Sequence, residues 1–429
     1  MSVVPKITQE DKDLFPVFRI FMLKKISPIL FYAVSVFIVM WLSFFVEPVY
    51  SKYRNCMLYS LFSLLIFSFL SDPKRAKAVL DDKADIFLWL YFLVMTFGLL
   101  FAGKANAAIN KYFIYALPIP VVYYFFKMHS FSMKDRLVIA RVICAALVIV
   151  SIIGILEAVF HKNIIYERFV HNVYYNLYIA NERVMSTQHA PQPLGTFIIA
   201  CIPFALFLIE KRENIFNVIL GILGMGFSIV TLMLTLSRGP VLALVVLLVV
   251  YFYKKCKRMI IPLLVLIVIL MFIFSIYGAD SAIWRLGLIG WTAQSDYSHR
   301  LNRVDTVLKI LKDHPFMGLG LENYRYFFGK YFYIKYVRWD WRVTDNMYLL
   351  ILAESGILGF LAFATFIFLL LRKALRCYNE FGFILLIALI GILGNMITYD
   401  LLYWTVPFYI FWIYCGMLSS VSMEAAQKT

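Results

Sequence analysis

The amino-acid sequence predicts an all-α polytopic membrane protein of about twelve transmembrane helices, with one large, partly helical external loop. Hydrophobic residues make up 62% of the 429 positions and charged residues 15%, whereas soluble domains carry about a quarter charged residues. The mean hydropathy is +0.81. Apolar runs of roughly 18 to 22 residues recur, which is the helix length that a hydrocarbon core about 30 Å thick requires. A transmembrane β-barrel is excluded, because it would show alternating segments of about ten residues.

The order of the spans follows from the apolar runs and from the connectors between them. The apolar runs lie at about 27–46, 56–71, 86–103, 111–126, 137–160, 193–209, 216–236, 240–253, 259–277, 347–371, 382–398 and 405–421. Lys and Arg mark the cytoplasmic side of a membrane protein, and here they cluster near the N-terminus and in alternate connectors. This alternation predicts one membrane domain over 1–429 with cytoplasmic N- and C-termini. It also predicts that 161–192 and 278–344 are external.

The composition also limits the function. The formal net charge of +16 resides mainly in the connectors, which indicates membrane topology and not binding of nucleic acid. The six cysteines lie within spans or at their ends, and no C-x-x-C occurs. They predict apolar packing and neither disulfides nor a metal site. The sequence has no phosphate-binding loop of the Walker type, so ATP is not the expected energy source.

The external segment 278–344 is the longest polar interruption of the chain. Within it, 297–312 has the pattern of an amphipathic helix that rests on the membrane surface or on the helix bundle. The residues of its apolar face are Leu301, Val304, Leu308 and Leu311. Asp313-His314-Pro315 is expected to end this helix, and Gly318-Leu319-Gly320 to supply a flexible turn.

Arginines on the external side favour recognition of an anion. Arg238 opens a span within the hairpin Ser237-Arg238-Gly239-Pro240, where N–H groups of the next helix converge. A guanidinium group suits phosphate there, because its planar fork pairs with two oxygens. Arg300 and Arg303 form a second basic pair on the predicted loop helix, and Arg183 is a third candidate. The alternatives are a topological anchor for Arg238 and a solvated or headgroup-binding face for Arg300 and Arg303.

Two carboxylates follow the loop. Asp345-Asn346 precedes the span at 347–371, where Asp345 is suited to cap the helix and also to accept a proton from a sugar hydroxyl. Glu354 lies about two turns into that span. An ionisable group is costly inside a membrane and often functional, although a neighbouring helix could equally satisfy it.

Histidine and serine chemistry is weakly supported. His299 and His314 lie in the same loop without the H-E-x-x-H spacing of a metal site. Ser237 has no histidine at motif spacing. The sequence therefore predicts neither a metal centre nor a serine nucleophile.

Three motifs occur in an order and spacing that resemble the O-antigen ligase and O-antigen polymerase superfamily of bacteria. They are Thr235 to Gly239, Asp313 to Tyr324, and Asp345 to Leu349 followed by Glu354 to Gly359. The resemblance is distinct from Thr235 to Gly359, and the layout of the spans agrees along the rest of the chain.

The resemblance implies a metal-independent glycosyltransferase that needs no cofactor and acts at the periplasmic or outer face of the bacterial plasma (inner) membrane. Its donor would be a glycan on undecaprenyl diphosphate, and its acceptor the lipid A core of lipopolysaccharide or a growing polysaccharide. Arg238 and Arg300 would hold the diphosphate, and Asp345 would act as the base. The expected substrate-binding set also includes Arg183, Arg303, His314, Asn346 and Glu354.

One residue departs from the ligase pattern. Ligases characteristically have His before the Asn of the last motif, whereas this chain has Asp345. A carboxylate can still serve as a base, so ligation and polymerisation both stay open. Two other classes are alternatives: a transporter or flippase of lipid-linked glycan, which usually shows two related halves and broken helices, and a non-enzymatic membrane assembly factor.

Overall fold

The structure is a computed structural model that describes residues 62–63, 65–66, 69, 72–163, 183–188, 190–255, 294–332, 342–376 and 379–426, with side chains at all of these except 294–300 and 426. All regular secondary structure in these residues is helical, as predicted. The helices are α1 (Pro73–Leu80), α2 (Lys83–Phe101), α3 (Ala105–Lys111), α4 (Pro118–Met128), α5 (Met133–Phe160), α6 (Pro191–Lys211), α7 (Ile215–Leu234), α8 (Arg238–Lys255), α9 (Gln294–Asp313), α10 (Asn323–Tyr331), α11 (Met347–Arg376), α12 (Glu380–Asn395) and α13 (Thr405–Ala426).

Six helices among the described residues are long and apolar enough to cross a membrane: α2, α5, α6, α7, α11 and α13. The predicted spans at 240–253 and 382–398 correspond to α8 and to the shorter apolar α12. The predicted span at 111–126 corresponds to the end of α3, a π-helical turn and α4, which follow one another through Leu117 in a helical conformation. The predicted spans at 27–46 and 259–277, and most of that at 56–71, lie outside the described residues. The expected total of twelve is therefore not established.

The bundle is organised around α6 and α13, whose apolar windows are almost entirely buried. α6 packs against α5, α7 and α12, and α13 packs against α4 and α12. In contrast, α2, α5 and α7 bury fewer than half of the residues in their apolar windows. A helix that is apolar on all sides but buried on one is expected where its other side contacts lipid.

One end of the bundle collects the basic connectors. Lys127 is fully buried and donates to Asp82 at 3.1 Å and to Asp85 at 2.8 Å. Lys373 donates to the same Asp82 at 2.8 Å. Further ion pairs at this end are Lys211–Glu380, Lys255–Glu210, Arg136–Glu424 and Arg75–Glu424. We call this the basic end. It is the end that the sequence predicts to be cytoplasmic.

The described part of the external segment folds back onto the bundle. α9 contains the helix predicted at 297–312 and packs against α10 and α11. A different face packs on the bundle: Val307 and Ile310 are fully buried, whereas Leu301, Val304 and Leu308 of the predicted apolar face are 52%, 37% and 59% exposed. Of the two predicted supports for that face, the bundle does not contact these three residues closely, and the membrane surface stays a prediction. Hydropathy does not separate these two faces, because lipid and protein interior are similarly apolar surroundings.

α11 is interrupted in its middle, where the sequence predicts one continuous span. Gly356 has φ 63° and ψ −169°, a conformation that is essentially restricted to glycine. The segment 315–320 lies beside the break and replaces the missing helical hydrogen bonds. The N–H to O=C bonds run from Leu319 to Ala353, from Gly320 to Glu354, from Ile357 to Pro315 and from Leu358 to Phe316, at 2.9, 2.9, 2.9 and 3.3 Å. The turn predicted at Gly318-Leu319-Gly320 is therefore present, with a positive φ at both glycines, and backbone hydrogen bonds attach it to α11.

Candidate functional site

The turn between α7 and α8 positions Arg238. α7 ends at Leu234, and Leu236 adopts a left-handed φ of 50°. Ser237 is buried, and its N–H donates to Thr235 Oγ1 at 3.2 Å. The predicted hairpin turn is thus present. Arg238 lies at the start of an 18-residue helix, where the backbone contributes positive partial charge.

Arg183 joins this turn from the other predicted external segment. Its Nε–H donates to the Thr235 carbonyl oxygen at 3.1 Å, and its Nη2 donates to Ser237 Oγ at 3.0 Å. The first bond satisfies a carbonyl at the C-terminal end of α7, where a cation is also favoured by the helix dipole. The structure therefore brings Arg183 to the residue that precedes Arg238.

Gly239 packs this turn against the C-terminal end of α12. A Cβ atom at position 239 would overlap Thr398 Oγ1 and would lie 2.7 Å from Asn395 Oδ1. Asn395 is fully buried; its Nδ2 donates to Thr196 Oγ1 at 2.8 Å and its Oδ1 accepts from Thr398 Oγ1 at 2.9 Å. This hydrogen-bonded group leaves space for glycine but not for a side chain.

The segment that contains Asp345 is anchored on the same helix end. The Met347 N–H donates to the Met396 carbonyl oxygen at 2.8 Å, and the Tyr348 hydroxyl donates to the Leu393 carbonyl oxygen at 2.8 Å. Gly239 contacts the neighbouring residues 395 and 398. Two motifs that are 106 residues apart in the sequence (345 − 239) therefore meet around the end of α12.

Asp345 forms an ion pair with Arg303 of α9. Their side chains are 24% and 14% exposed, so water screens this pair less than a pair on an open surface. The N-cap alternative for Asp345 is wrong, because Asn346 caps α11: its Oδ1 accepts the Leu349 N–H at 3.1 Å. Asp345 itself has a left-handed φ of 48°, and its carboxylate reaches the loop helix.

Glu354 of α11 contacts the start of α10 in the external segment. It is buried, and its Oε1 accepts the Tyr324 N–H at 3.3 Å. Tyr324 is the second residue of α10, and Glu322, the N-cap residue of that helix, makes no capping hydrogen bond with its own side chain. Glu354 therefore caps α10 from α11, where its carboxylate also suits the positive end of the helix dipole. This contact matches the second interpretation of Glu354, satisfaction by a neighbouring element.

A group of charged residues that belongs to none of the predicted site residues lies beside this loop. Lys111 Nζ is 3.0 Å from Glu322 Oε2 and 4.2 Å from the centre of the Tyr403 ring, and Arg325 is 4.0 Å from Glu322. Asp400 is buried. Burial raises the pKa of the Asp400 carboxyl, and Arg325, Lys111 and Arg303 oppose that rise. The available signal for Asp400 was a lone acidic residue between the last two predicted spans.

Arg300 and His314 are not placed beside Asp345 by any described contact. Arg300 belongs to α9, one turn before Arg303, and its side chain is outside the described set. His314 is exposed after the end of α9, eleven residues beyond Arg303, or roughly 16 Å at about 1.5 Å per helical residue. The catalytic role of Arg300 on the diphosphate and the substrate-binding role of His314 stay predictions. Within the described side chains, no three His, Cys, Asp or Glu residues form a potential metal site.

Comparison with known proteins identifies the region that contains these motifs. Residues 223–364 match the family model described as O-antigen ligase. The match covers 142 of the 429 residues (364 − 223 + 1) and includes Arg238, Arg303 and Asp345. A search of the curated proteins gave no match. This match over 223–364 supports the superfamily that the order of the motifs predicts, the O-antigen ligase and O-antigen polymerase superfamily.

Proposed function

We propose that this membrane protein is a glycosyltransferase of bacterial surface polysaccharide assembly, of the ligase or the polymerase type. It moves a glycan from undecaprenyl diphosphate to a hydroxyl group of the lipid A core or of a growing polysaccharide. One observation carries the proposal: the Ser237-Arg238-Gly239 turn and the Arg303–Asp345 pair meet around the end of α12, within the region that matches the O-antigen ligase family.

The donor half of the site is built from cations. During transfer the bond between the anomeric carbon and the diphosphate oxygen breaks, and the lipid diphosphate leaves with increased negative charge. Arg238 at the start of α8 binds this group, together with Arg300 of α9. Fixed guanidinium groups and helix N–H groups stabilise such developing charge without reorganisation. In this proposal they supply the positive charge that a metal ion provides in other transferases.

The acceptor half of the site is built around Asp345. The acceptor hydroxyl attacks the anomeric carbon, and its proton passes to the Asp345 carboxylate as the new glycosidic bond forms. Arg303 holds that carboxylate in place through their ion pair. Asn346 supports the same segment by capping α11.

The two ends of the bundle support an orientation in the membrane. The basic end contains Lys127, Arg136, Lys211 and Lys373, and clustered cations favour the cytoplasmic side. α13 reaches this end, because Glu424 pairs with Arg136 there. We therefore propose that the C-terminus is cytoplasmic and that the candidate site lies at the periplasmic face of the inner membrane. For the N-terminus, which lies outside the described residues, the proposal of a cytoplasmic position rests on its basic sequence alone.

A transporter or flippase of lipid-linked glycan is the main alternative. The break in α11 at Gly356 is a feature that transporter helices share. Here, however, the backbone groups beside the break bond to residues 315–320, so those groups are engaged by the protein itself. The arginines and carboxylates of the candidate site also lie toward one end of the bundle. Transfer at one membrane face explains this arrangement better than passage across the membrane.

Glycan profiling of a deletion strain that expresses variants tests the proposal. We expect Arg238→Ala to reproduce the deletion phenotype, because loss of one oxyanion-binding group typically lowers a rate by about 100-fold or more. The matched control is Lys309→Ala, which removes an exposed cation of α9 that pairs with Asp305. Polymer that accumulates on the lipid carrier while the core stays bare indicates a ligase, and a single repeat unit on the core indicates a polymerase. Normal glycans with Arg238→Ala would contradict the proposal.

A further inference from the structure

A buried carboxylate outside the proposed chemistry lies near the C-terminal end of α5. Glu157 is 4% exposed. Its Oε2 accepts three hydrogen bonds: from the Ser186 N–H at 2.6 Å, from the Met185 N–H at 3.2 Å and from Asn163 Nδ2 at 2.9 Å. Within the described residues it has no ion-pair partner, and its Oε1 has no hydrogen-bond partner. Burial of an ionisable group in a membrane helix is costly. A carboxylate that is nevertheless buried here and bound by three donors is therefore a candidate for a specific role.

Glu157 and Asn163 together hold a short non-helical segment, residues 183–188. Ser186 adopts a left-handed φ of 51°, which is uncommon for a residue other than glycine. Its Oγ donates to the Val150 carbonyl oxygen at 2.6 Å, and its own carbonyl oxygen accepts from Asn163 Nδ2 at 2.7 Å. On the other side, the Val184 N–H donates to the Leu234 carbonyl oxygen at 3.2 Å. The segment is thus attached to α5 on one side and to the end of α7 on the other.

This attachment sets the position of Arg183. Met185 is two residues after Arg183, so the bonds of Glu157 to residues 185 and 186 fix the chain directly beside it. Arg183 in turn donates to the Thr235 carbonyl oxygen and to Ser237 Oγ. Hydrogen bonds of Glu157 to residues 185 and 186, the main chain from 185 back to 183, and the hydrogen bond of Arg183 to Ser237 therefore connect Glu157 to the residue that precedes Arg238.

We propose that Glu157 is a positioning residue: it holds segment 183–188 so that Arg183 braces the turn that presents Arg238. The effect on glycan transfer rests on the proposed function, whereas the brace itself does not. The acceptor oxygen of Glu157 is the essential group. A glutamine at this position keeps an oxygen for the same donors, while a leucine of similar size leaves the N–H groups of Met185 and Ser186 without it.

Hydrogen exchange of the full-length protein in lipid nanodiscs tests the brace directly. We expect Glu157→Leu to increase amide exchange in peptides that cover 183–188 and 235–239, and Glu157→Gln to stay close to wild type. Peptides from α12 and α13 serve as internal controls and should not change. Unchanged exchange at 183–188 with Glu157→Leu would overturn the proposal, and so would an equal increase along the whole chain, which indicates a general structural role.

Kinetics then separate positioning from simple stability. We expect Glu157→Leu and Arg183→Ala each to raise the KM for the lipid-linked donor about tenfold, the size expected for one lost hydrogen bond to a charged group. The double variant should be no worse than either single variant, because both act through one series of contacts. Multiplied effects would show that Glu157 does not act through Arg183. If the wild type transfers no glycan, the proposed function fails, but the exchange experiment still decides whether the brace exists.

Discussion

Replacement of Gly239 by alanine tests whether the turn of Arg238 rests on α12. The added methyl group would overlap Thr398 Oγ1 and lie 2.7 Å from Asn395 Oδ1. Asn395 is buried and is held by Thr196, so neither neighbour can move away without loss of a hydrogen bond. Overpacking of this kind costs about 1–3 kcal/mol, and one lost hydrogen bond costs about 1 kcal/mol more. We expect the free energy of unfolding to fall by about 2–4 kcal/mol in total.

A second glycine provides the matched control. Gly226 lies in α7, and a Cβ atom there would have no neighbour within 4 Å. Alanine favours a helix over glycine by about 0.5–1 kcal/mol, so Gly226→Ala should be neutral or slightly stabilising. Thermal unfolding of both variants in one detergent gives the comparison. If Gly239→Ala unfolds at the wild-type temperature, the described contact between the turn and α12 is incorrect.

Four further substitutions, in three experiments, test other parts of the structure. Gly356→Ala would place a methyl group against the backbone of Phe316, at a position whose φ of 63° disfavours alanine. This variant should therefore have a lower unfolding temperature. An unchanged temperature would argue against the break in α11. The effects of Arg303→Ala and Asp345→Asn should be coupled by about 2 kcal/mol, a coupling energy between those of exposed and buried ion pairs. This corresponds to about 30-fold in kcat/KM. A double-mutant cycle in which the two losses are additive would contradict the coupling. Lys127→Met leaves two carboxylates at the basic end without their buried cation, and it should lower the free energy of unfolding by about 3 kcal/mol. Its KM for the donor should not change, and a large change would place the basic end in the site.

The helical class and the bounds of α6, α7, α8 and α13 could be predicted closely from the sequence. Apolar length and basic connectors report directly on how a chain meets a membrane. The break at Gly356 could not be predicted in this way, because the run as a whole is long and apolar enough for a continuous span. It depends on hydrogen bonds from residues 315–320, and single-sequence periodicity contains no information about such a partner.

The candidate site was predictable where a charged residue had no topological use. Arg238 is such a residue, because topology requires basic residues on the cytoplasmic side, and the structure brings the third candidate, Arg183, to its turn. Glu157, like Glu354, is a single carboxylate in an apolar run. The cost of an ionisable group in a membrane therefore marks Glu157 as well, although only Glu354 is among the predicted site residues. The sequence predicts Asp345 as the N-cap of α11, whereas the structure has Asn346, one position later. Adjacent Asp and Asn side chains are both good N-caps, and only the backbone conformation distinguishes them.

Glycan transfer by the purified protein is the most direct test of a single transfer site at the end of α12. The reaction contains an undecaprenyl-diphosphate-linked glycan, a lipid A core or polysaccharide acceptor and a metal chelator, and product is measured for the wild type, Arg238→Ala and Lys309→Ala. We expect the wild type and Lys309→Ala to transfer glycan at equal rates in the chelator, and Arg238→Ala to be slower by about 100-fold or more. Transfer by Arg238→Ala at the wild-type rate would contradict the assignment of the site.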